Sequence, residues 1–432
     1  MKILVLSQLW YPENGVPQRR WSWLSKILTD AGGHEVVVIT PPPMQEQASS
    51  FKDYARQRRR ASHHNSLHGE RGIGGELIIR SGYFPNGDSL TAKIAHQAAG
   101  ALSTVWTVFR YRQCLRDVDL IIGTVPALPT AALAAVIARY MKVPFVIDLR
   151  DAWPDLLAYA DKWNKSLGKT SLRERVLRKG PLPAVVSMTR QVLSTVLDKA
   201  DGIIVTSENF RERLLDTLED KSTPRNVLTI RNVFPPESHD TEAIAPAEKQ
   251  RGLHVLYAGT LGRAQNLENA LKAAALVRNA GYDIHLTFVG AGAAKKRLHE
   301  IARQEGIEAE FLRRRPADSL NDLYSWADTA LVHLTDWEPL EWTVPSKTYE
   351  LMEVGVHISG VVSGEGGHLI EQLGAGHVVK PENPEALAAL WIRLINNPSL
   401  LTPSDKGQRW VKRLREESVP DDVLSFLNRV VA

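Results

Sequence analysis

A lysine and a glutamate near the predicted start of a helix are the residues of this chain best suited to binding a nucleotide. Residues 344–355 read V-P-S-K-T-Y-E-L-M-E-V-G. Pro345 and Ser346 predict a helix start with Ser346 as the N-cap, which places Lys347 and Glu350 on one helical face. A helix N-terminus suits a diphosphate, and a carboxylate one turn inside accepts hydrogen bonds from ribose hydroxyls. The segment predicts either a sugar-nucleotide site or an ordinary capped surface helix.

Two glycine turns earlier in the chain are suited to the phosphate end of such a site. They follow two predicted strands and contain Gly259, Thr260, Gly262 and Arg263 in the first turn and Gly290 and Gly292 in the second. Glycine lets the backbone approach phosphate oxygens, and arginine binds them in a bidentate manner. Such turns are common without a ligand. The prediction of a phosphate site therefore depends on both turns lying on one side of one sheet.

The loop after the first predicted strand is a candidate substrate loop. It reads N-G-V-P-Q-R-R over residues 14–20 and contains Gly15, a candidate donor-binding residue, and Arg19, a candidate acceptor-binding residue. A sheet of this kind places its ligand loop at this position. The loop is not a G-x-G-x-x-G fingerprint, which disfavours a tightly bound dinucleotide. Gly15 either permits close approach of a donor or is a simple turn glycine.

Three charged residues lie at the carboxyl end of another predicted strand in the first half. Residues 145–153 read F-V-I-D-L-R-D-A-W, so Asp148, Arg150 and Asp151 follow apolar residues at the carboxyl end of the strand. The carboxyl end faces the expected ligand cleft, which makes Arg150 and Asp151 candidate acceptor-binding residues. The alternative is an arginine–aspartate pair of purely structural value.

The elements that position these residues form two series. The first half predicts strands at residues 2–7, 35–40, 77–80, 120–123, 145–149 and 202–206. The second half predicts strands at residues 254–258, 285–289, 309–312, 330–333 and 357–362. Amphipathic segments separate them, one of them a helix over residues 18–31, and this alternation is typical of parallel sheets covered by helices.

We therefore expect two doubly wound domains with a ligand cleft between them. The predicted bounds are 1–240 for the first domain, 250–408 for the second, and 409–432 for a C-terminal helical segment that docks on either domain.

Composition narrows the class of protein. The chain has 432 residues, of which 44% are hydrophobic, so it can bury substantial cores. Its formal charge of +4 does not by itself indicate nucleic-acid binding. The single cysteine, Cys114, excludes an internal disulfide framework and fits a reducing compartment. No run approaches the roughly 18 apolar residues of a membrane span, and the start resembles a buried strand more than a signal peptide. We expect a cytoplasmic protein, soluble or peripherally bound at the inner face of the membrane.

Two basic stretches interrupt the alternation. Residues 57–75 predict an exposed loop. Residues 162–178 are basic with apolar residues between the charges, a pattern that suits contact with an anionic membrane or a surface helix with no partner.

The order of several motifs resembles the family-4 glycosyltransferases, which are retaining enzymes of the GT-B fold with two facing Rossmann-like domains. The motifs are G-G-H-E-V at 32–36, the segment 148–154, A-G-T-L-G-R at 258–263, G-A-G at 290–292, P-S-K with Y-E at 345–350, and G-E-G at 364–366. The motifs most resemble those of the branch that builds bacterial surface polysaccharides, in which R-D-x-W-P and P-S-K-x-Y-E segments occur together. The resemblance covers the whole chain.

The resemblance implies roles for residues of the second half. Glu350 matches the second glutamate of the family's E-x7-E motif, which holds the ribose, and Arg263 matches the arginine that binds the diphosphate. The lysine that usually follows this arginine is missing from residues 265–269. Lys347 is the candidate to replace it.

The sequence departs from the family at the first glutamate of that motif. Trp342 stands where the glutamate that faces the transferred sugar is expected. Glu338 and Glu341 are the nearby alternatives.

The resemblance implies transfer of a hexosyl or N-acetylhexosaminyl group, with retention, from a nucleotide-diphosphate sugar to a hydroxyl of a lipid-linked or polysaccharide precursor. Arg263 and Lys347 would stabilise the departing diphosphate, and Asp151 would orient the acceptor hydroxyl. No metal or other cofactor is expected beyond the nucleotide sugar as co-substrate. The alternatives are a soluble small-molecule acceptor, a nucleotide-sugar epimerase of the same fold, and a non-catalytic sensor.

Overall fold

The fold consists of two parallel α/β sheets, one in each half of the chain. A computed structural model describes residues 1–13, 15–43, 46–47, 69–83, 90–125, 128–159, 182–218, 226–235, 251–315 and 320–432. The predicted basic segment 162–178, most of the predicted loop 57–75 and most of the stretch between the halves lie outside these residues.

The first sheet has eight strands in the order β3-β4-β2-β1-β5-β6-β7-β8. Their bounds are Lys2–Leu6, Glu35–Thr40, Glu70–Arg71, Leu77–Arg80, Leu120–Val125, Phe145–Leu149, Gly202–Val205 and Val227–Thr229 for β1 to β8. All neighbours pair in parallel except β3 with β4. The central strands are continuous apolar runs buried on both faces, as helices on both sides of a sheet require.

The second sheet has six parallel strands in the order β11-β10-β9-β12-β13-β14. Their bounds are Leu253–Ala258, Ile284–Val289, Ala309–Leu312, Thr329–His333, Ile358–Val361 and Gly376–Val379 for β9 to β14. These sheets confirm the predicted architecture of two doubly wound units. The domain bounds 1–240, 250–408 and 409–432 stay predictions.

Helices cover both sheets. Their bounds are Val16–Lys26, Leu90–Arg110, Leu128–Met141, Leu182–Lys199, Glu208–Leu218, Glu268–Asn279, Lys295–Gln304, Asn321–Trp326, Glu338–Glu341, Ser346–Val354, Gly364–Gln372, Pro384–Asn396, Lys406–Arg413 and Val419–Val431 for α1 to α14. Within the described ranges, none of these helices combines the length and the apolar character that crossing a membrane requires.

The C-terminal segment joins the two halves. Helix α13 packs on α10 of the second half, and α14 packs on β8 of the first. Between them, Arg415 donates from Nε to the carbonyl oxygen of Val233 at 2.6 Å and from Nη1 to Glu353 Oε1 at 2.6 Å. Phe426 packs against Gly202 in the first sheet. The segment therefore docks on both halves, where the sequence left the choice between them open.

A buried polar group lies at the start of β13 and gives the second half a dependence on pH. His357 Nδ1 lies 2.8 Å from Thr329 Oγ1, and His357 Nε2 lies 2.9 Å from His377 Nδ1. Burial, followed by the charges of His377 and Arg393, lowers the pKa of His357 from 6.5 to about 4. The folded protein therefore holds this imidazole neutral at a pH where the unfolded chain binds a proton.

We expect the free energy of unfolding to fall as the pH drops from about 6.5 towards about 4, because only the unfolded chain gains the proton at His357 in this window. The shift corresponds to about 3 kcal/mol of stability that is fully present above the unfolded pKa. Urea unfolding at several pH values measures it. A His357→Gln variant should show a shallower slope, and parallel curves for the two proteins would contradict the assignment.

Candidate functional site

Glu350, Lys347 and Tyr324 form one hydrogen-bonded group, called here the Glu350 cluster. Tyr324 donates its hydroxyl to Glu350 Oε1 at 2.5 Å. Lys347 donates from Nζ to Glu350 Oε2 at 2.9 Å and to the Tyr324 hydroxyl oxygen at 3.1 Å. Tyr324 is buried, whereas the side chains of Lys347 and Glu350 are 23% and 21% exposed. The predicted pairing of Lys347 and Glu350 on one face is confirmed, and both remain open to a ligand.

The surroundings of Tyr324 keep its hydroxyl protonated. Burial and the negative charge of Glu350 raise the pKa of Tyr324 well above its usual value, and the positive charge of Arg19 opposes the shift. Tyr324 therefore stays neutral and remains a hydrogen-bond donor. A carboxylate has about four acceptor positions. Two are used by Tyr324 and Lys347, so the others remain for ligand hydroxyls.

Ser346 is not the N-cap of its helix, which corrects the prediction. Pro345 is the cap, and Ser346 is the first helical residue, with no side-chain capping bond. Pro345 has φ −56° and ψ 131°, and its carbonyl oxygen accepts a hydrogen bond from the N–H of Thr348 at 2.9 Å. A cap must lie outside the helical turn for its side chain to reach back to the free N–H groups. Among the described residues, no capping side chain therefore occupies the N–H groups of the first turn.

The two glycine turns lie next to each other at the carboxyl ends of β9 and β10. The N–H of Gly259 donates to Val289 and that of Leu261 to Ala291, both at 2.9 Å. Gly290 has φ +155°, and a Cβ there would collide with the Gly259 carbonyl oxygen. A Cβ at Gly292 would collide with the carbonyl oxygen of Leu261. Glycine is required at these two positions so that the turns can pack together, which is a reason independent of any ligand.

Arg263 follows the first glycine turn, and its guanidinium has no ion-pair partner within the part of the chain that the structure describes. Its side chain is half-buried, and within the described ranges its buried Nε has no hydrogen-bond partner. A buried N–H without an acceptor is destabilising by about 1–3 kcal/mol. Gly259 and Thr260 beside it are exposed, and Gly262 is half-buried. An anion at this turn would satisfy the guanidinium.

Asp148 does not face the cleft, which corrects the expectation that it does. It is fully buried, accepting a hydrogen bond from Arg20 Nη2 at 3.1 Å and one from Trp21 Nε1 at 2.8 Å. Arg20 also donates to the carbonyl oxygen of Ile230 at 2.7 Å. The structural alternative considered for this segment therefore applies to Asp148, with Arg20 as its partner.

Asp151 lies two residues beyond the end of β6. Its side chain is exposed to solvent, yet enough protein surrounds it that desolvation raises the pKa of its carboxyl group. The charge of Arg150 and a hydrogen bond from Trp153 oppose this shift. Arg150 is half-buried and donates from Nε to the carbonyl oxygen of Val125 at 3.4 Å. A carboxylate that is both accessible and surrounded by protein is suited to meeting a substrate group.

Arg19 lies between the halves, on the side of the Glu350 cluster. Its guanidinium stacks over Phe234 at 4.7 Å and donates to the carbonyl oxygen of Pro235 at 3.1 Å. Its charge also opposes the rise in the pKa of Tyr324. Gly15 is the N-cap of α1 at φ −114°, where a Cβ would meet only the flexible tip of Gln18. This backbone geometry does not require glycine, so the choice between close approach of a donor and a simple turn stays open, and the donor contact of Gly15 stays a prediction.

The side chain of Trp342 packs against the first half of the chain. Arg213 of α5 lies over its ring at 5.2 Å, and its carbonyl oxygen accepts a hydrogen bond from Ser207. Of the nearby glutamates, Glu338 is exposed and accepts a hydrogen bond from Tyr159 at 3.3 Å. Glu341 is half-buried, and among the described residues it has no hydrogen-bond or ion-pair partner.

A second contact between the halves centres on Arg231. Its guanidinium pairs with Glu365, and it donates to the Tyr349 hydroxyl oxygen at 3.3 Å. Glu365 is buried and also accepts a hydrogen bond from the N–H of Asn209 at 2.8 Å. Glu365 of the G-E-G motif therefore holds the two halves together.

Sequence reasoning missed Tyr324 and Arg231. Each acts across more than 20 residues of chain, and no local pattern indicates such a pairing. Within the described ranges, no three His, Cys, Asp or Glu side chains lie close enough to hold a metal ion. The expectation of no metal and no further cofactor stays a prediction.

Two parallel-sheet α/β units that carry the candidate site at the carboxyl ends of their strands define the GT-B class. A family model described as "Glycosyl transferase 4-like domain" matches residues 17–232, and one described as "Glycosyl transferases group 1" matches residues 240–416. The chain belongs to the glycosyltransferase 4-like family. The predicted family and the GT-B fold are thereby confirmed.

Curated relatives and solved structures agree with this assignment. The chain is 27% identical to the probable glycosyltransferase WbjE of Pseudomonas aeruginosa over 62% of its own length and 64% of that protein. It is 26% identical to the putative colanic acid biosynthesis glycosyl transferase WcaI of Escherichia coli over 71% of its own length and 73% of that protein. The match thus spans slightly less than two thirds of WbjE. Anabaena HepE in complex with UDP superimposes with a TM-score of 0.63 at 14% identity, over 99% of this chain and 100% of that one.

Proposed function

We propose that the chain is a retaining glycosyltransferase that moves a hexosyl or N-acetylhexosaminyl group from a nucleoside diphosphate sugar to a hydroxyl of a polysaccharide or lipid-linked precursor. The observation that carries the proposal is the Glu350 cluster together with Arg263, whose buried Nε has no hydrogen-bond partner among the described residues. Arg263 follows β9, and α10, which carries Lys347 and Glu350, comes after the neighbouring strand β12. The segments that directly follow these two strands are joined by a hydrogen bond of 2.8 Å from the N–H of Thr335 to the carbonyl oxygen of Ala264. Ribose and diphosphate groups would thus meet at one edge.

The donor would lie with its ribose on Glu350 and its diphosphate between Arg263 and the first turn of α10. The carboxylate accepts hydrogen bonds from the ribose hydroxyls. Arg263, Lys347 and the N–H groups at Ser346 supply positive charge to the diphosphate. Gly259, Thr260 and Gly262 border Arg263 and would contact the same phosphates. Gly290 and Gly292 would act by holding that turn in place.

The transfer would proceed on one face of the sugar. The bond between C1 and the diphosphate oxygen breaks, while the acceptor hydroxyl oxygen bonds to C1 from the same side. The hydroxyl proton passes to the departing phosphate oxygen. Negative charge grows on the diphosphate as it leaves, so the fixed positive groups stabilise the transition state more than the ground state.

The acceptor would bind on the first half. Asp151 is the candidate that orients the acceptor hydroxyl, with Arg150 beside it. Arg19 lies between the halves, where it could meet either substrate. WcaI is named for colanic acid biosynthesis, which supports a surface polysaccharide or its lipid-linked precursor as the acceptor. HepE was solved with UDP and with UDP-glucose, which makes uridine diphosphate sugars the first donors to test.

A thermal-shift screen of nucleoside diphosphates tests the donor site. We expect at least one to raise the unfolding temperature, because a ligand at about 100 times its dissociation constant stabilises the folded state by about 3 kcal/mol. The Glu350→Gln variant should lose most of this shift. Incubation with the nucleotide sugar alone then separates transferase from epimerase, since only an epimerase converts the sugar without an acceptor. With an acceptor, NMR of the anomeric proton should show retention; inversion would overturn the mechanism.

A further inference from the structure

Helix α2 presents an apolar stripe to solvent. Leu102, Val105, Trp106 and Phe109 recur at helical spacing on its outer face. Leu102 is 73% exposed, Trp106 63% and Phe109 49%. The outward face of a helix that covers a sheet is normally polar. Single exposed apolar residues need no explanation, whereas a stripe of four on one helix marks an interaction surface.

The neighbouring helices extend this surface. Helix α2 packs against α3, and α3 packs against α4. On α3 the exposed apolar residues are Val136 and Tyr140, and on α4 they are Met188 and Val192. These residues and the stripe of α2 are called here the α2–α4 face.

The charges around the α2–α4 face are mostly positive, although Asp117 follows the first stretch below and Asp198 lies on α4. Residues 99–116 and 128–142 contain five cationic residues and no aspartate or glutamate, and the five are Arg110, Arg112, Arg116, Arg139 and Lys142. All five side chains are exposed. Arg112 lies over the ring of Phe109 at 5.1 Å. An apolar stripe bordered mainly by cations complements an anionic surface with an apolar interior.

We propose that the α2–α4 face docks on an anionic membrane surface. Trp106 and Phe109 would enter the interface between headgroups and acyl chains, where aromatic rings are favoured. The arginines would extend their charged ends to anionic headgroups while their stems cover apolar surface. A second copy of the chain fits less well, because a two-fold contact through this face would bring cations against cations.

The face begins beside the edge of the first sheet where the acceptor is expected. The N–H of Gly82, just after β4, donates to Ser103 Oγ of α2 at 2.6 Å. Leu102, the first exposed residue of the stripe, is therefore next to the carboxyl end of the sheet. A membrane on the α2–α4 face would lie near that edge. The docking itself does not depend on the proposed transfer reaction.

Flotation with lipid vesicles tests the proposal on the full chain. We expect the protein to float with vesicles of phosphatidylglycerol and phosphatidylcholine in equal parts at low salt, and much less with phosphatidylcholine alone or at high salt. The double variant Trp106→Glu with Phe109→Glu should lower the partition coefficient by at least about tenfold. Ile73→Glu is the matched control, because Ile73 is also 63% exposed but lies in the turn between β3 and β4.

Both replaced side chains are exposed, so the unfolding temperature of the double variant should match that of the wild type. If the double variant unfolds at a lower temperature, a second double variant on α3, Val136→Glu with Tyr140→Glu, tests the same face. We expect the same loss of vesicle partitioning. The proposal is overturned if the wild type does not float at low salt, or if the variants float as well as the wild type. It is also overturned if the variants alter the oligomeric state, measured by sedimentation, without altering vesicle binding, because the face would then be a contact between copies. Nucleoside diphosphate binding, measured on the same variants, should be unchanged, which separates this proposal from the donor site.

Discussion

Replacing Arg263 with alanine is expected to lower kcat/KM for sugar transfer by about 10²–10³-fold and to leave the fold intact, since a fixed group that stabilises developing negative charge contributes about this much. Its guanidinium has a buried Nε without a partner among the described residues. Removing it therefore breaks no bond of the folded protein that the structure shows. The loss should appear mainly in kcat, because the charge on the leaving diphosphate is greatest in the transition state.

Two comparisons make this result specific to Arg263. Arg303→Ala removes an exposed arginine from the last turn of α7 and should leave both kcat and KM near their wild-type values. Arg263→Lys keeps the charge but loses the planar pair of donors, so it should recover only part of the rate. Near-normal turnover of the alanine variant, with unchanged circular dichroism and unfolding temperature, would contradict the diphosphate role.

The fold was predictable from the sequence wherever a strand is long and apolar. The predicted bounds of β2, β4, β6 and β11 are those of the structure, and the other predicted strands differ by one or two residues at an end. The strands missed are Glu70–Arg71, Val227–Thr229 and Gly376–Val379. Each is short and lies at or next to the edge of its sheet, so its residues are less buried and leave no periodic apolar signal.

The sequence predicted those residues of the candidate site that lie close together on one helix. Lys347 and Glu350 lie on one helix, where spacing alone brings their side chains together. Tyr324 comes from α8 and Arg19 from α1, and their positions follow from how the helices pack. Asp148 illustrates the same limit, because its partner Arg20 is 128 residues away along the chain. Spacing along one element predicts neighbours within it, whereas contacts between elements depend on the whole packing.

Trp342 shows how one substitution changes the function of a position. A glutamate there would present a charge to the cleft, whereas the indole packs against the core of the first half under Arg213. Together with the Arg231–Glu365 pair, it fixes how the halves meet on this side. The sugar would then be held by another group. Glu341 is the better candidate, because Glu338 already bonds to Tyr159, and this assignment stays a prediction.

Glu350→Gln is the second variant with a large expected effect. We expect the affinity for the nucleoside diphosphate to fall about 100-fold, which corresponds to about 3 kcal/mol, since hydrogen bonds to a charged group contribute about 1.5–3 kcal/mol each. The amide also loses the ion pair with Lys347 and presents one acceptor oxygen where the carboxylate presented two. The ribose is remote from the breaking bond, so KM for the donor should rise much more than kcat falls. Isothermal titration calorimetry and steady-state kinetics measure the two quantities.

Glu353→Gln is the matched control for this variant, because Glu353 lies three residues further along α10 and has a different task. Its carboxylate accepts two hydrogen bonds from Arg415, at 2.6 Å and 2.5 Å, and joins the C-terminal segment to the second half. Weakening that pair should lower the unfolding temperature and leave donor affinity unchanged. Glu350 is 21% exposed and borders the candidate site, so its variant should show the opposite pattern, with weak donor binding and near-normal stability. Equal loss of donor affinity in both variants would mean that α10 is merely distorted, and the ribose assignment for Glu350 would fail.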